Sequence, residues 1–260
     1  MKVSALFHLS SVLAVASALA LPRQQLANVY TSCTVPNTAA LTFDDGPYIW
    51  HKNVVDTLDA AGVKGTFFMN GNNWDCIYDE DGVDRVQYSY SRGHQIGSHT
   101  WGHDHLATLT ADQLEQQFSL SDTAFQKILG VVPTFMRPPY GEYNDLVLET
   151  ASNHNQQVII WDLDSGDSDG DSVEQSEQIY TNAIDNNPSN ILTLNHETYQ
   201  TTVEDILPFA IQALQDAGYN LVTVAECLGY TTDDMYQQVT EPSQRDDSWT
   251  CAGTPGPGQP

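Results

Sequence analysis

From residue 38 onward, short apolar runs alternate along the chain with segments that have the periodicity of helices. This alternation is typical of parallel strands joined by helices, in an open sheet or a barrel. One predicted helix covers 111–129, with a capping box in Thr110 and Gln113 and an end at Gly130. A second begins at Thr201 and ends at Gly218. The predicted strands are 39–43, 65–70, 94–97, 134–137, 157–161, 190–195 and 219–224.

The N-terminus has the layout of a secretory signal peptide. Lys2 precedes an apolar run that ends in the small residues Ala18 and Ala20. A membrane anchor is the alternative, but the run is shorter than the ~20 residues that a bilayer span needs. We expect the mature chain to be a secreted, extracellular monomer. The expected divisions are a signal peptide at 1–20, an N-terminal extension at 21–37, one domain at 38–230 and a C-terminal extension at 231–260.

The chain contains 4 cysteines, an even count that favours two disulfide bonds in an oxidising compartment. Cys33 lies just before the first predicted strand and Cys227 just after the last, so a bridge between them would join the two ends of the domain. Of the possible pairings, this one leaves Cys76 with Cys251. Free or metal-bound thiols are the alternative, which the wide spacing of the cysteines disfavours.

The composition is strongly acidic, with a formal net charge of -25 at pH 7. Nucleic acids and anionic membrane surfaces are poor partners for such a chain. Such a charge more often keeps a protein soluble in an acidic external medium than it steers a substrate. A cationic polymer would nevertheless be attracted to it.

Polar motifs directly follow several predicted strands, at the edge where active sites assemble in parallel α/β folds. Each motif alone has a structural explanation: a turn, a histidine pair on one helical face, or a core histidine. Together they contain a carboxylate and two imidazoles, a three-ligand set that leaves coordination positions open for water and substrate. One Asp and one His remain for proton transfer, which indicates a hydrolase. The residues are Asp44 and Asp45 in Thr-Phe-Asp-Asp-Gly-Pro, His99 and His103 in Ser-His-Thr-Trp-Gly-His, and His196 in Leu-Asn-His-Glu.

Two further motifs strengthen this interpretation. Arg137 begins the segment Arg-Pro-Pro-Tyr-Gly, where the prolines fix the backbone that presents Arg137 and the Tyr140 N–H. Asp164 and Asp167 lie in an acidic stretch after another strand. One of these carboxylates would orient a histidine and raise its basicity. A solvated or cation-binding loop is the alternative for this stretch.

These five segments, in this order, resemble the polysaccharide deacetylase family, the NodB homology domain of carbohydrate esterase family 4. The resemblance covers 39–229 and rests on the motifs above. The fourth motif along the chain is Asp-Ser-Gly-Asp at 164–167, within the acidic stretch. Two further segments resemble the corresponding segments of secreted fungal chitin deacetylases: Gly-Asn-Asn-Trp at 71–74 and Val-Thr-Val-Ala-Glu-Cys-Leu-Gly at 222–229. This resemblance also supports the Cys33–Cys227 bridge. The resemblance implies a distorted (β/α) barrel of about seven parallel strands, with the catalytic domain at 38–230.

The resemblance also implies a role for each motif residue. Asp45, His99 and His103 would bind one divalent metal ion, with zinc expected before cobalt. The other implied roles are Asp44 as general base, Arg137 as the residue that holds Asp44, Tyr140 as the backbone donor to the oxyanion, His196 as general acid and Asp167 as the residue that orients His196.

The substrate-binding side is less fully defined by the sequence. Asp164 is the alternative to Asp167 in the acidic motif, and Ser168 stands where the family commonly has an aromatic residue. The expected substrate-binding residues are Trp74, Tyr140 and Leu194. Other loop aromatics, namely Trp101, Tyr48 and Trp50, would either stack on sugar rings or pack in the fold, as would Trp74. His51 and His105 are assigned no role.

We therefore predict a secreted, metal-dependent hydrolase that removes N-acetyl groups from chitin or chitooligosaccharides and releases acetate. An O-deacetylase of acetylated xylan is the alternative within the same class, because an ester leaving group would need His196 less. A catalytically silent carbohydrate-binding protein is the alternative from another class. The intact set of acidic residues and histidines argues against it.

Overall fold

The computed structural model of the chain describes residues 25–238 and 240–259, so the predicted signal peptide at 1–20 lies outside the described residues. Strands and helices alternate along this part of the chain. The strands are β1 (Val29–Tyr30), β2 (Thr38–Ala40), β3 (Thr42–Gly46), β4 (Thr66–Met69), β5 (Gln95–Ser98), β6 (Val131–Pro133), β7 (Phe135–Met136), β8 (Gln157–Ile159), β9 (Leu163–Asp164), β10 (Asn190–His196), β11 (Asn220–Leu221) and β12 (Tyr236–Gln238). The helices are α1 (His51–Ala60), α2 (Glu80–Ser91), α3 (Ala111–Leu129), α4 (Asp145–Asn153), α5 (Val173–Asp185), α6 (Leu207–Asp216) and α7 (Val224–Cys227).

The main sheet is a parallel sheet that curves into a distorted barrel. Its strand order is β1-β8-β7-β5-β4-β3-β10-β2-β11, and β9 pairs with β10. β9 follows β8 after residues 160–162 and pairs with β10, which also pairs with β3; this arrangement is consistent with a distorted barrel. The predicted α/β class is confirmed. Each predicted strand is present, and the first is divided into β2 and β3 at Leu41.

The core lies on both faces of the sheet. β4 has the sequence Thr-Phe-Phe-Met and is buried throughout, as expected for a parallel strand that is covered on both sides. Phe67 stacks on Phe43 with ring centroids 5.4 Å apart. Its neighbour Phe68 belongs to a second cluster, with Phe135 and Ile159. This packing makes the barrel a rigid support for the loops at its edges.

The two predicted helices differ in outcome. The helix at 111–129 is confirmed, with the Thr110 capping box and a left-handed Gly130 at φ 79°. The second helix begins where it was predicted, since the backbone of Thr201 is already helical, although the Thr201 side chain makes no capping hydrogen bond. A π-helical turn, Thr202–Ile206, precedes α6. Pro208, the second residue of α6, has no N–H to donate to the preceding turn, and this favours the irregular hydrogen bonding of the π-helical turn before it.

Both predicted disulfide bonds are present, Cys33–Cys227 and Cys76–Cys251. The regions predicted as extensions each add a strand, since β1 pairs with β8 and β12 pairs antiparallel with β6. Among residues 25–238 and 240–259, no helix has both the length and the apolar character that a membrane span requires.

Candidate active site

Two adjacent carboxylates reach the same cavity at the end of β3. In a regular strand, neighbouring side chains point to opposite faces. Here the pairing of β3 with β4 shifts register between Asp44 and Gly46, and Asp45 has a left-handed backbone with φ 72°. This irregularity brings both Asp44 and Asp45 to the wall of one cavity.

The two motif histidines approach each other in the loop after β5. Their ring centroids lie 5.0 Å apart. The predicted shared helical face is wrong, because Thr100 has φ 67° and His103 has φ 56°, which no right-handed helix allows. His99 Nδ1 donates to the backbone carbonyl of Arg137 at 2.7 Å. That hydrogen bond fixes the tautomer and leaves the lone pair of His99 Nε2 available to bind a cation.

Asp45, His99 and His103 offer three ligand atoms that all lie within 4.8 Å of one another. Asp45 Oδ1 is 3.2 Å from His103 Nε2 and 3.6 Å from His99 Nε2. Burial lowers the pKa of His99 to about 3 and also lowers the pKa of His103, so both imidazoles are neutral at pH 7. A carboxylate with two neutral imidazoles fits a divalent cation.

Arg137 binds Asp44 but does not itself line the cavity. The arginine is fully buried, and its Nη1 donates to Asp44 Oδ1 at 2.9 Å and to Thr42 Oγ1 at 2.6 Å. Burial raises the pKa of Asp44 above the ordinary 3.8, while the charge of Arg137 opposes that shift. Asp44 is thus an oriented carboxylate with increased proton affinity, the property that a general base requires.

His196, at the end of β10, is bound by Asp167 and not by Asp164. Asp167 Oδ1 accepts from His196 Nδ1 at 2.8 Å, and its Oδ2 accepts from the His196 backbone N–H at 2.7 Å. Asp164 instead accepts from the backbone N–H of Gly166. Burial disfavours the imidazolium, but Asp167, with Asp44 and Asp45, outweighs it and raises the pKa of His196 to about 9. His196 is therefore protonated at neutral pH in this arrangement.

Most of the motif residues, but neither Arg137 nor Asp167, line a cavity of about 440 Å³ at the carboxyl edge of the barrel. A larger cavity of about 630 Å³ lies beside α2 and contains none of the motif residues. The smaller cavity therefore carries the candidate chemistry. Its lining residues are Asp44, Asp45, His99, His103, Tyr140, Trp161, Asp164, Ser168, Asp169, Leu194, His196 and Tyr199.

The loop aromatics range from exposed to fully buried, with Tyr48 and Trp50 partly buried. Trp74 is 48% exposed, packs on Tyr48 with centroids 5.2 Å apart, and donates from Nε1 to Asp45 Oδ2 at 3.4 Å. Tyr140 is 53% exposed, and its ring stacks on His105 at 4.0 Å. Trp101 is fully buried, so it is a packing residue.

Trp161 and Tyr199 also line the cavity, although no role was predicted for their side chains. The guanidinium of Arg137 lies 5.5 Å from the Trp161 ring, and Tyr199 meets His196 edge-on with centroids 5.9 Å apart. Both lie within a few residues of a strand end that carries a motif, and this position in the sequence could have indicated that they line the cavity. Trp161 gives the cavity an aromatic wall, whereas Ser168 is small and exposed.

Comparisons with known proteins identify the family of the chain. Residues 31–159 match the family model described as Polysaccharide deacetylase. A chitin deacetylase of a Pestalotiopsis species is 41% identical over 211 residues, which are 80% of this chain and 70% of that protein. A probable peptidoglycan-N-acetylglucosamine deacetylase of Arthroderma benhamiae is 36% identical over 80% of this chain, but the aligned region is only 48% of that protein.

A solved structure supports the same family assignment. The chitin deacetylase from the fungal pathogen Colletotrichum lindemuthianum aligns with a TM-score of 0.78 and 30% identity over 82% of this chain and 97% of that chain. The fold and the cavity thus define a hydrolase built on an α/β barrel. The chain belongs to the polysaccharide deacetylase family.

Proposed function

We propose that this polysaccharide deacetylase is secreted and removes N-acetyl groups from the N-acetylglucosamine units of chitin or chitooligosaccharides. The observation that carries the proposal is the separation of two adjacent carboxylates: Asp44 is bound to Arg137, and Asp45 lies beside His99 and His103. The relatives described as chitin deacetylases support the substrate, and the disulfide bonds support an oxidising, extracellular location.

In this proposal Asp45, His99 and His103 bind one divalent metal ion, with zinc as the first choice for a mixed carboxylate and imidazole site. When bound, the ion supplies Lewis acidity that polarises the acetamide carbonyl and lowers the pKa of water to ~7. The Arg137 carbonyl keeps His99 in the orientation that directs Nε2 to the ligand position.

Asp44 acts as the general base on the water that attacks the acetamide carbonyl. Its Oδ1 is occupied by Arg137, so Oδ2 accepts the proton. Asp44 Oδ2 lies 3.7 Å from His99 Nε2, and this places the base next to the ligand set. The backbone N–H of Tyr140 donates to the oxyanion that develops on the carbonyl oxygen.

His196 acts as the general acid. As the bond between the carbonyl carbon and the nitrogen breaks, the imidazolium donates its Nε2 proton to the departing amine, which is otherwise too basic to leave. Asp167 holds Nδ1 and stabilises the charged form before the transfer. The products are acetate and a free amino sugar.

The substrate lies across the cavity between exposed aromatic rings. Trp74 and Tyr140 present the faces on which sugar rings stack, and Leu194, which is 5% exposed and lines the cavity, contacts the acetyl methyl group.

Acetate release tests the proposal when chitin oligomers, acetylated xylan and peptidoglycan are compared in parallel, each with and without chelator. We expect release from chitin oligomers to be fastest and to require metal. Faster release from acetylated xylan would favour the O-deacetylase alternative, and no release from any substrate would favour the silent carbohydrate-binding protein.

A further inference from the structure

Glu197, the residue after His196, is a buried carboxylate with no part in the mechanism above. It is 0% exposed. Its Oε1 accepts from the backbone N–H of Tyr48 at 2.9 Å, and its Oε2 accepts from His51 Nδ1 at 2.7 Å. His51 is also 0% exposed and packs on Phe67 with centroids 4.6 Å apart. Glu197 therefore connects the end of β10 to the turn after β3 and to the start of α1.

The turn between Asp44 and Tyr48 is shaped around this carboxylate. A Cβ at Gly46 would lie 2.2 Å from Glu197 Oε1, so the carboxylate occupies the space that a side chain would need. The Glu197 backbone N–H also donates to the Asp44 carbonyl at 3.3 Å. Glu197 thus binds the turn before and after Asp45.

Asp45 needs such support because its backbone is left-handed, with φ 72°. This conformation is unfavourable for a residue other than glycine and persists where the surroundings hold it. A fully buried carboxylate that loses its partners is strongly destabilised, so the turn cannot shift freely away from Glu197. The contacts therefore restrain the position of the Asp45 carboxylate.

We propose that Glu197, together with His51, is a positioning residue for the metal site, because it holds the 44–48 turn so that Asp45 reaches His99 and His103. This inference rests on the proposed role of Asp45 as a metal ligand. Loss of the Glu197 contacts should reduce the affinity for the ion without changing the groups that touch the substrate.

The test compares Glu197→Gln with the control Asp122→Asn in the full-length protein. Both substitutions neutralise a carboxylate that accepts from a histidine Nδ1, and Asp122 binds His154 at 2.6 Å without lining the cavity. Zinc affinity is measured by competition with a chromophoric chelator, thermal stability by circular dichroism, and acetate release from chitin tetramer at limiting and saturating zinc.

We expect Glu197→Gln to weaken zinc binding at least tenfold, the usual cost of losing a supporting contact, and Asp122→Asn to bind zinc like the wild type. Saturating zinc should restore most of the kcat of Glu197→Gln, and its KM for the tetramer should be unchanged. Zinc affinity within twofold of the wild type would overturn the inference. So would a loss of kcat that saturating zinc does not restore.

If Glu197→Gln does not fold, His51→Phe decides the question, since it keeps an aromatic ring against Phe67 and removes the donor to Glu197. Weakened zinc binding would support the inference and unchanged binding would overturn it. A wild-type protein that binds zinc but releases no acetate would contradict the proposed function alone, because the zinc affinities of the variants would still test the positioning role of Glu197. A wild type that binds no zinc would contradict both.

Discussion

Asp44 and His196 stand directly opposite each other across the parallel pairing of β3 and β10. The preceding residues of the two strands, Phe43 and Asn195, are also in register. The proposed base and acid are thus fixed by backbone hydrogen bonds of the barrel. Groups mounted on strands keep their separation better than groups on loops, which suits a reaction with two coordinated proton transfers.

The charge of Asp167 should set the alkaline limit of activity. The mechanism requires the imidazolium of His196, whose pKa is raised to about 9, so activity falls as the pH rises through that pKa. A bound cation repels the imidazolium and places this limit below pH 9. Asp167→Asn removes the stabilising charge, lowers the pKa and should shift the limit by roughly one unit or more to lower pH.

The measurement is kcat/KM for chitin tetramer against pH at saturating zinc. Asp169→Asn is the control, because Asp169 is an exposed acid of the same cavity that makes no hydrogen bond to His196. An alkaline limit that is unchanged in Asp167→Asn, or equally shifted in both variants, would contradict the proposed pairing.

His196 should matter for an amide and much less for an activated ester. His196→Ala should lower acetate release from chitin tetramer by about 10²–10⁴-fold, the usual contribution of a general acid. Release from 4-nitrophenyl acetate should fall less than tenfold, because a nitrophenolate departs without a proton. Equal losses on both substrates would show that His196 acts in another way, for example in binding.

Trp74 should contribute to substrate binding. Trp74→Ala should raise KM for chitin tetramer by roughly threefold to tenfold, which corresponds to the loss of one stacking contact. The melting temperature should hardly change because the side chain is 48% exposed. Trp74→Phe keeps a ring but loses the donor to Asp45, so it separates stacking from support of the carboxylate. An unchanged KM in Trp74→Ala would exclude the stacking role.

The C-terminal region should stabilise the loop that carries the two motif histidines. Trp101 Nε1 donates to Thr254 Oγ1 at 3.0 Å, and the Gly258 N–H donates to the Gly102 carbonyl at 2.8 Å. Replacing Cys76 and Cys251 together by serine should lower the free energy of unfolding by about 2–5 kcal/mol. Urea unfolding followed by tryptophan fluorescence measures the change. An unchanged midpoint would mean that the disulfide bond to the C-terminal region does not stabilise the domain.

Much of the fold and of the candidate site could be predicted from local patterns. Apolar runs, helix caps and strand-end motifs depend on neighbouring residues, so the sequence predicts most strands of the main sheet, the 111–129 helix and the motif residues that meet in the cavity. The short strands β1, β6, β9 and β12 were not predicted. The conformation of the His99 loop was not predicted either, because left-handed residues such as Thr100 carry no clear sequence signal. The contact between His51 and Glu197 joins residues 146 positions apart, and no local pattern indicates it.

Acetate release from N-acetylglucosamine oligomers by the wild type and by Asp44→Asn tests the proposed roles of the metal ion and of Asp44 together. Each protein is assayed as prepared, after chelation, and after zinc is returned. We predict that the wild type loses activity on chelation and regains it with zinc, and that zinc-loaded Asp44→Asn is slower by about 10²–10⁴-fold. Wild-type activity that survives complete chelation, or an Asp44→Asn rate close to that of the wild type, would contradict the proposed mechanism.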